Sequence, residues 1–496
     1  MTDFIRDPDT PLLNLNSKDS FTIRDSFNGI HVFGAIGSGK TSGAGRAIAG
    51  AYLRAGYGGL VLCAKPEEVE LWREYCRQHG RESSMIIFNK SRHFNFLSYI
   101  FAVRGADGAN AATDTLLRIL KASDHAAGQG DSKEGEAFWK KTTREMILNT
   151  VSVLYSAKGT VTIEDIVKFV STMPRVEPPT EEARQKAAST FALTCLDKCH
   201  RKPVHPLPAP TLARVRNYWF NNFIGMADKT RASIVTSVTA ELNRFTDGIL
   251  RECFCTTTDI LPEMSLNGAI IILAFPALTF FEEGVVAQQL FKLIWQRAIE
   301  SRNGLASEFR ERPVFLYADE AQFFVSTYDD TFLSTCRGSK CATVYLTQSL
   351  PTYVAQLGKE KEAAVDGFVG KFNTKVFHLN ACPKTNKYAA ELIGKGLKLH
   401  KTSSRTVTSG VQTNYSGTQN SINHGYNQSE GSNETTGANE HLDYFLKPIF
   451  FATSLLTGSP KNNFLVSAVL FKAGGKFSEP IPDTNSNTLE VTFSQR

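Results

Sequence analysis

Short apolar runs alternate with longer amphipathic segments in two parts of the chain. The runs have the length and the β-branched content of buried strands, and the segments between them have helical spacing. This alternation is typical of an α/β domain with a mainly parallel sheet. The predicted strands are Gly29–Phe33, Gly58–Cys63, Met85–Phe88, Ala269–Ala274, Val314–Ala318, Cys341–Leu346 and Lys375–Leu379, and the first two predicted helices are Lys40–Ala55 and Glu67–Gln78.

The segment between the two α/β parts has helical spacing and no convincing strand. Its length of ~120 residues is that of a domain, so we expect an inserted all-α domain. A layer of helices packed on the sheet is the alternative. The predicted division is an extension at 1–28, a nucleotide-binding part at 29–106, the all-α domain at 107–226 and a second nucleotide-binding part at 227–496. The predicted helices are Thr113–Leu120, Ala137–Leu154, Thr162–Val170 and Thr180–Leu196.

A polar segment interrupts the second α/β part. Of the 38 residues from Thr402 to Asn439, 28 are Ser, Thr, Asn, Gln or Gly. This composition buries too little apolar surface to offset the entropy lost on ordering. We therefore expect a flexible loop or a long, loose hairpin at 402–439. Ordered structure is expected again at Asp443–Leu456 and Leu465–Phe471.

Composition narrows the class of protein. The nine cysteines are scattered and odd in number, which favours reduced thiols in a cytoplasmic protein. The first 15 residues lack the pattern of a signal peptide, and no window has the ~18 apolar residues of a membrane span. We expect a cytoplasmic protein, with a peripheral position at the inner face of the cytoplasmic membrane as the alternative.

The segment GAIGSGKT has the spacing of a P-loop. It follows a predicted strand and precedes a predicted helix, which is the context that the motif requires. Backbone N–H groups of such a loop surround phosphate oxygens, the lysine reaches the β- and γ-phosphates, and the hydroxyl binds Mg²⁺. The sequence therefore predicts an ATP and Mg²⁺ site at Gly34, Ala35, Ile36, Gly37, Ser38, Gly39, Lys40 and Thr41.

A P-loop needs an acidic partner, and Val314–Glu320 (VFLYADE) supplies one. Asp319 is predicted to hold Mg²⁺, directly or through water. Glu320 is predicted to orient and deprotonate the attacking water. A strand followed by a solvated acidic turn is the alternative, and the P-loop favours the catalytic interpretation.

Two further polar residues are candidates for the catalytic site. Gln348 follows the strand Cys341–Leu346 and would lie beside the acidic turn, where an amide can sense the γ-phosphate. Arg337 lies in the turn between the two strands, and its spacing alone favours an ordinary surface arginine.

The order of these features resembles a known family. A P-loop, an all-α insertion, an apolar strand ending in Asp-Glu, an arginine and Leu-Thr-Gln-Ser follow one another. The chain is similar in this order to the TraG/TraD-like coupling-protein ATPases of conjugative type IV secretion, within the FtsK–HerA class. The matching stretches are Phe94–Leu97 (with Phe96 where the family has Pro), Ala137–Trp139, Thr230–Phe245, Phe372–Lys395 and Leu455–Phe477.

The resemblance implies a RecA-like ATPase fold and a homohexameric ring with ATP between subunits. It makes Gln348 the polar sensor and Arg337 an arginine finger that acts on the neighbouring subunit. It also implies DNA, a relaxase or other secretion substrates, and type IV secretion components as partners. Family members usually have membrane helices before the ATPase domain, whereas the P-loop here begins at Gly34, so we expect contact with the membrane only through a partner.

A basic stretch bears on the choice of cargo. Gly358–Arg405 holds ten Lys or Arg and four Asp or Glu. Such residues in a ring's pore would bind phosphate backbones without reading sequence, and an ordinary solvated face is the alternative. The candidates are Lys371, Lys375, Lys384 and Lys387.

Three functional hypotheses follow. The first is an ATP-hydrolysing ring motor that couples a DNA substrate to a type IV secretion channel and translocates DNA. The second is an ATPase that recruits protein effectors or assembles the secretion machine. The third is a nucleotide-gated docking scaffold without translocase activity.

Overall fold

A computed structural model of the chain describes residues 3–124, 133–176, 180–418 and 421–495. Its centre is a nine-stranded sheet in the order β13-β12-β9-β3-β8-β7-β4-β6-β5. The strands of the chain are β1 Pro11–Asn14, β2 Ser20–Thr22, β3 Ile30–Phe33, β4 Gly58–Leu62, β5 Met85–Phe88, β6 Ile270–Leu273, β7 Val314–Ala318, β8 Cys341–Thr347, β9 Thr374–Phe377, β10 Lys395–Thr418, β11 Ser421–Tyr444, β12 Leu465–Lys472 and β13 Thr488–Ser494.

The sheet is mainly parallel, as the sequence predicts. Strands β3 to β9 pair in parallel, whereas β12 pairs antiparallel with both β9 and β13. Strands β3, β4, β6, β7 and β8 are buried along their whole length, which explains their continuous apolar sequences. All seven predicted parallel strands form, with ends shifted by at most two residues. The sequence reasoning missed β1, β2 and β13.

Helices fill the chain between β5 and β6 within the described residues. The helices are α1 Ile23–Ser26, α2 Arg46–Arg54, α3 Glu67–Gln78, α4 Phe96–Arg104, α5 Gly108–Asp124, α6 Lys133–Lys158, α7 Ile163–Thr172, α8 Glu181–Ala188, α9 Phe191–Arg201, α10 Ala209–Asn217, α11 Phe223–Gly225, α12 Asp228–Asn243, α13 Gly248–Phe254, α14 Ala277–Ser301, α15 Ser307–Glu311, α16 Thr327–Thr335, α17 Leu350–Leu357, α18 Glu362–Gly370, α19 Pro383–Ile393 and α20 Phe450–Thr453.

Two predicted helices differ from the structure. Thr180–Leu196 is not one helix, because Thr190 adopts an extended backbone that ends α8 and begins α9. The predicted helix Lys40–Ala55 begins with a π-helical turn at Thr41–Gly45 before α2 continues it.

The core lies on both faces of the sheet. One cluster packs α2 and α3 against Val32, Val61 and Val344. The other cluster packs Phe33, Leu62 and Leu316 against α14 and continues without a break into the helices from α5 to α13 except α8. The helical part therefore shares its core with the sheet, and its definition as a separate domain stays a proposal.

The polar segment 402–439 forms most of a long antiparallel hairpin. Of the two predicted alternatives, the described residues have the hairpin, with 24 residues in each strand. Residues 419–420 of this predicted segment lie outside the described residues. Within the parts of the chain that the structure covers, no helix is long and apolar enough to cross a membrane.

A buried ion pair joins α14 to α16. Lys292 Nζ lies 2.5 Å from Asp329 Oδ2, and neither side chain is more than 1 % exposed. Tyr345 Oη and Gln296 Nε2 donate to Asp329 Oδ1 at 2.6 and 2.9 Å. The pair also supports the chain after the acidic turn, because Lys292 donates to the Phe324 carbonyl at 2.6 Å.

We predict that Lys292→Met lowers the free energy of unfolding by about 3–5 kcal/mol, because it leaves the Asp329 carboxylate buried without its cation. Chemical denaturation of the purified protein measures this change. Lys384→Met is the matched control, because its pair with Glu362 is about half exposed and such pairs contribute about 1 kcal/mol or less. Equal effects of the two changes would contradict the structural role of the pair.

Candidate active site

The P-loop begins where the central strand β3 ends. Gly37 and Gly39 have φ values of 73° and 84°, a region that L-residues with side chains rarely adopt. A Cβ on Gly39 would also lie 2.6 Å from Val466 Cγ1, so β12 packs directly against the loop. Lys40 follows and is only 7 % exposed. The loop thus has the turned backbone and the buried lysine that its sequence predicts.

The acidic turn and Gln348 lie at the same edge of the sheet as the P-loop. Parallel pairing sets Ala318 opposite Tyr345 and Thr347 opposite Phe33. The residues that follow the strands β7, β8 and β3 are Asp319, Gln348 and Gly34. All three therefore leave the sheet at its carboxyl edge.

Short contacts connect the predicted residues. Lys40 Nζ lies 3.1 Å from Glu320 Oε1 and 4.0 Å from Asp319 Oδ1. The Thr41 hydroxyl donates to Asp319 Oδ2. Gln348 Nε2 lies 3.3 and 3.2 Å from the two carboxylate oxygens of Glu320. The structure thus brings Lys40, Thr41, Asp319, Glu320 and Gln348 into one cluster.

Glu320 combines an unusual backbone conformation with a buried carboxylate. Its backbone is left-handed, with φ 49°, and its side chain is buried. Burial alone would raise the pKa of Glu320, but the Lys40 charge and hydrogen bonds from Gln322, Lys40 and Gln348 lower it below the ordinary value. The carboxylate is therefore ionised at neutral pH. A strained backbone at such a position is typical of functional sites.

The sequence reasoning missed two charged residues beside this cluster. Lys65 Nζ lies 3.6 Å from Glu320 Oε1. Glu68 Oε2 accepts a 2.8 Å hydrogen bond from the Ala64 backbone, and burial first and then the Asp319 charge raise the pKa of Glu68 to about 8. Both residues follow β4, which pairs with β7. The signal available in the sequence was that two charged residues follow directly after an apolar strand. Whether they lie near the P-loop depends on the order of the strands in the sheet, which local sequence does not show.

An open cavity lies beside the P-loop. Its volume is about 360 Å³, and one wall is formed by the P-loop and Arg46 while α3 forms the other through Leu71, Tyr75 and Gln78. The last described residue, Gln495, donates to Ser42 Oγ at 2.7 Å and accepts from Arg46 at 2.9 Å. The C-terminal strand β13 thus ends against the first turn after the P-loop.

The residues present fit a nucleotide phosphate and a magnesium ion. Ser38 Oγ is buried within the P-loop without a hydrogen-bond partner, as expected for a group that a phosphate oxygen would satisfy. Thr41 and Asp319 already meet, and a hydroxyl with a carboxylate is the usual magnesium pair of P-loop proteins. Among the residues that the structure covers, no group of three or more His, Cys, Asp or Glu could hold a metal ion.

Arg337 does not join the cluster. It is exposed and lies in the turn that enters β8 at its amino end, whereas the P-loop lies beyond the carboxyl end of that strand. Within one chain it therefore does not reach the P-loop. Its predicted action on a neighbouring subunit stays a prediction.

The basic stretch differs from its prediction at one position. Lys375 is buried in β9, and its ammonium donates to the Phe372 carbonyl. Burial lowers the pKa of Lys375 to about 8. Lys375 is therefore wrongly predicted as a contact to a nucleic-acid backbone. The other three candidates form ion pairs: Lys371 with Asp330, Lys384 with Glu362 and Lys387 with Glu391.

The raised pKa of Glu68 gives a testable pH dependence. The pKa is about 8 in the folded protein against an ordinary value of 4.5. The stability that the protonated carboxyl contributes is present below pH 4.5 and is lost as the pH rises to about 8. We predict that Glu68→Gln removes this loss, which is at most about 1.4 kcal/mol per pH unit.

Denaturation of the nucleotide-free protein at several pH values from about 5 to about 8.5 measures the effect. This interval covers most of the range between the ordinary pKa of Glu68 and its raised value of about 8. Glu70→Gln changes an exposed carboxylate on the same helix and should leave the pH profile as in the unaltered protein. A constant difference between Glu68→Gln and the unaltered protein at all pH values would contradict the titration.

Comparison with known proteins gives one family match. Residues 313–434 match a family model described as the TraM recognition site of TraD and TraG. The matched stretch contains the acidic turn, Arg337 and Gln348. No curated protein matches the chain in a sequence comparison.

Solved structures of the conjugative coupling protein TrwB are similar over nearly the whole chain. Unbound bacterial TrwBdeltaN70 is 15 % identical with a TM-score of 0.55, covering 95 % of this chain and 86 % of that one. TrwB with the ATP analogue ADPNP is 15 % identical with a TM-score of 0.53, covering 95 % and 88 %. TrwB with ADP and Mg²⁺ is 14 % identical with a TM-score of 0.55, covering 95 % and 86 %.

At such low sequence identity, the structural similarity shows the fold alone, which is that of a RecA-like P-loop protein. The family match and the fold agree with the resemblance drawn from the sequence. The chain is therefore similar to the TraG/TraD-like coupling proteins, with the fold of TrwB and the TraD/TraG model over residues 313–434.

Proposed function

We propose that the protein is an ATPase that uses Mg²⁺ and works as a motor of type IV secretion. The observation that carries the proposal is the meeting of Lys40, Thr41, Asp319, Glu320 and Gln348 at one edge of the sheet. Each supplies a group that phosphoryl transfer to water requires. Bound Mg²⁺ would neutralise phosphate charge, with Thr41 and Asp319 as the residues that hold it.

The contacts of Glu320 support its proposed role as the base. In the structure the carboxylate is paired with Lys40 at 3.1 Å. A phosphate group in the P-loop would attract the lysine ammonium, and Glu320 would then be free to accept a proton from water. Its lowered pKa keeps it ionised for this purpose, and the Gln348 amide holds it in position.

A coupling role is the second part of the proposal. It is supported by the TraM recognition model over residues 313–434 and by the TrwB fold. We infer that the chain forms a homohexamer, binds DNA and a relaxase or another secretion substrate, and contacts secretion components and the membrane through partners. The helical part at 107–226 would form a lobe that meets these substrates. Recruitment of protein effectors and a docking scaffold are the alternatives.

Turnover with and without DNA tests the motor. We predict that single- or double-stranded DNA raises the rate of ATP hydrolysis, because a translocase couples its chemistry to its cargo. Glu320→Gln should reduce hydrolysis by about 100-fold or more while ATP binding is kept, because the amide cannot accept the proton. A coupled phosphate-release assay measures turnover, and a fluorescent ATP analogue measures binding.

Glu311→Gln is the control for this experiment, because Glu311 is an exposed carboxylate before β7, at the opposite end of that strand from Glu320. Rates that are equal with and without DNA would contradict the motor and favour the effector or scaffold roles. Hydrolysis that survives Glu320→Gln would contradict the catalytic role of Glu320.

Mixing of variants tests Arg337. We predict that Arg337→Ala and Lys40→Ala are each inactive alone, since one lacks the finger and the other cannot bind the phosphates. Mixed, they should regain part of the activity, because a Lys40→Ala subunit offers Arg337 to the intact P-loop of its neighbour. An arginine finger is worth about 10³-fold or more in rate.

Arg310→Ala is the matched control, because Arg310 is also exposed and lies before β7. It should keep full activity. Failure of the mixture to exceed the two separate variants would contradict action between subunits, without bearing on hydrolysis itself.

A further inference from the structure

Lys65 is a charged residue beside the cluster to which the proposed function gives no role. Strand β4 pairs with β7 as far as Leu62 opposite Ala318, so the chain after β4 runs beside the chain that carries Glu320. Lys65 Nζ lies 3.6 Å from Glu320 Oε1, within the distance of an ion pair. The side chain of Lys65 is 45 % exposed, whereas that of Glu320 is 4 % exposed. A half-exposed ammonium group thus reaches a buried carboxylate.

Hydrogen bonds from α3 and α14 fix the backbone just before the lysine. Gln288 of α14 accepts from the Cys63 N–H and donates to the Cys63 carbonyl, both at 2.8 Å. The Glu68 side chain of α3 accepts from the Ala64 N–H at 2.8 Å, and the Leu278 N–H donates to the Ala64 carbonyl at 3.1 Å. All four backbone polar groups of these two residues are therefore bonded. The base of the lysine side chain is held in place by two helices.

Four side chains offer donors to the Glu320 carboxylate. Lys40 and Lys65 both lie beside Oε1, at 3.1 and 3.6 Å. Gln322 Nε2 donates to Oε2 at 2.9 Å, and Gln348 Nε2 lies near both oxygens. An ionised carboxylate has about four lone-pair sites. A water molecule therefore gains a place on this carboxylate when one of the four donors leaves.

The two lysines differ in their response to a phosphate. Lys40 belongs to the P-loop, where a phosphate group would attract its ammonium away from Glu320. Lys65 belongs to a separate turn, which α3 and α14 hold. A buried carboxylate without a cation is costly, and the phosphate charge would repel it. One cation therefore has to stay when Lys40 leaves, and Lys65 is beside the same oxygen.

We propose that Lys65 is a positioning residue for Glu320: it holds Oε1 when ATP draws Lys40 away, and the attacking water takes the place that Lys40 leaves on that oxygen. As the water oxygen forms a bond to the γ-phosphorus, the water gives one proton to Glu320. The bond from the γ-phosphorus to the bridging oxygen breaks, and its electron pair goes to ADP.

The inference rests on the proposed ATPase function and goes beyond it, because it assigns different roles to the two lysines. Lys40 binds phosphate, whereas Lys65 acts through Glu320. Loss of Lys65 would therefore slow the chemical step and leave ATP binding unchanged.

Hydrolysis and ATP binding of Lys65 variants test the proposal. Lys65→Met removes the ammonium group and keeps an unbranched side chain. We expect kcat to fall by about 10- to 100-fold, because a displacement of about 1 Å at a reacting group can cost this much in rate. The Kd of a fluorescent ATP analogue should change by less than about twofold. Lys65→Arg keeps the charge on the same turn and should retain kcat within about fivefold of the unaltered protein.

Lys90→Met is the matched control. Lys90 follows β5, whose carboxyl end lies at the same edge of the sheet, and β6 separates β5 from β4. Its ammonium lies 5.6 Å from the centroid of the Phe280 ring. This variant also loses an exposed lysine from the carboxyl edge, and it should hydrolyse ATP at the unaltered rate.

A double-variant cycle separates positioning from a general effect on the fold. In the Glu320→Gln background, adding Lys65→Met should slow the residual single-turnover rate by less than about twofold, because the lysine acts through the carboxylate. Equal slowing in both backgrounds would overturn the proposal. Loss of ATP binding by Lys65→Met would also overturn it, because the ammonium would then act on the phosphate.

Two further results separate this proposal from the ATPase function. A normal rate for Lys65→Met, or a rate for Lys65→Arg as low as that for Lys65→Met, would overturn the role of Lys65 and leave the ATPase standing, provided that Glu320→Gln is slowed. Absence of turnover by the unaltered chain, or full turnover by Glu320→Gln, would overturn both.

Discussion

The buried ammonium group of Lys40 is the constraint on which the candidate site depends. A buried cation is costly unless polar groups satisfy it, and for Lys40 the Glu320 carboxylate lies 3.1 Å away. Lys40 follows β3 and Glu320 follows β7, so the ends of these two strands must come together. Strand β8 lies between them in the sheet and ends at Gln348. The same strand order therefore brings the lysine, the carboxylate and the amide to one edge, and burial keeps water from weakening their interactions.

The sequence predicted the parts of this site that local patterns encode. Buried parallel strands are continuous apolar runs, and a P-loop has a fixed spacing, so β3, β7, Lys40 and Glu320 were found from residues alone. Lys65 and Glu68 were missed, since only the pairing of β4 with β7 gives them a role. Lys375 was misplaced for a related reason: its charge suggested the surface, whereas its strand β9 is buried in full.

The helical part is joined to the site through α14 and not only through apolar packing. Gln288, Lys292 and Gln296 are buried at intervals of four, so they form one polar row on a helix that also packs against α5. Lys292 donates to the Phe324 carbonyl just beyond the acidic turn, and Gln288 bonds to the backbone of Cys63 at the end of β4. Hydrogen bonds require a stricter geometry than apolar contacts do. Hydrogen bonds thus connect α14 to the chain around the strand ends that hold Glu320 and Glu68.

The hairpin shows how far reasoning from composition goes, because composition left a flexible loop and a long, loose hairpin as alternatives and the described residues form the hairpin. An abundance of Ser, Thr, Asn and Gly argues for a flexible loop, because the average residue has little apolar surface to bury. Composition ignores position, however, and a strand needs only every second residue to be apolar. Alternation places Leu397, Val407 and Leu442 on the same side, and Lys and Arg occur in β10 alone whereas Asp and Glu occur in β11 alone among the residues of the two strands. Neither property changes the average. Both become visible only when the two strands are paired in register.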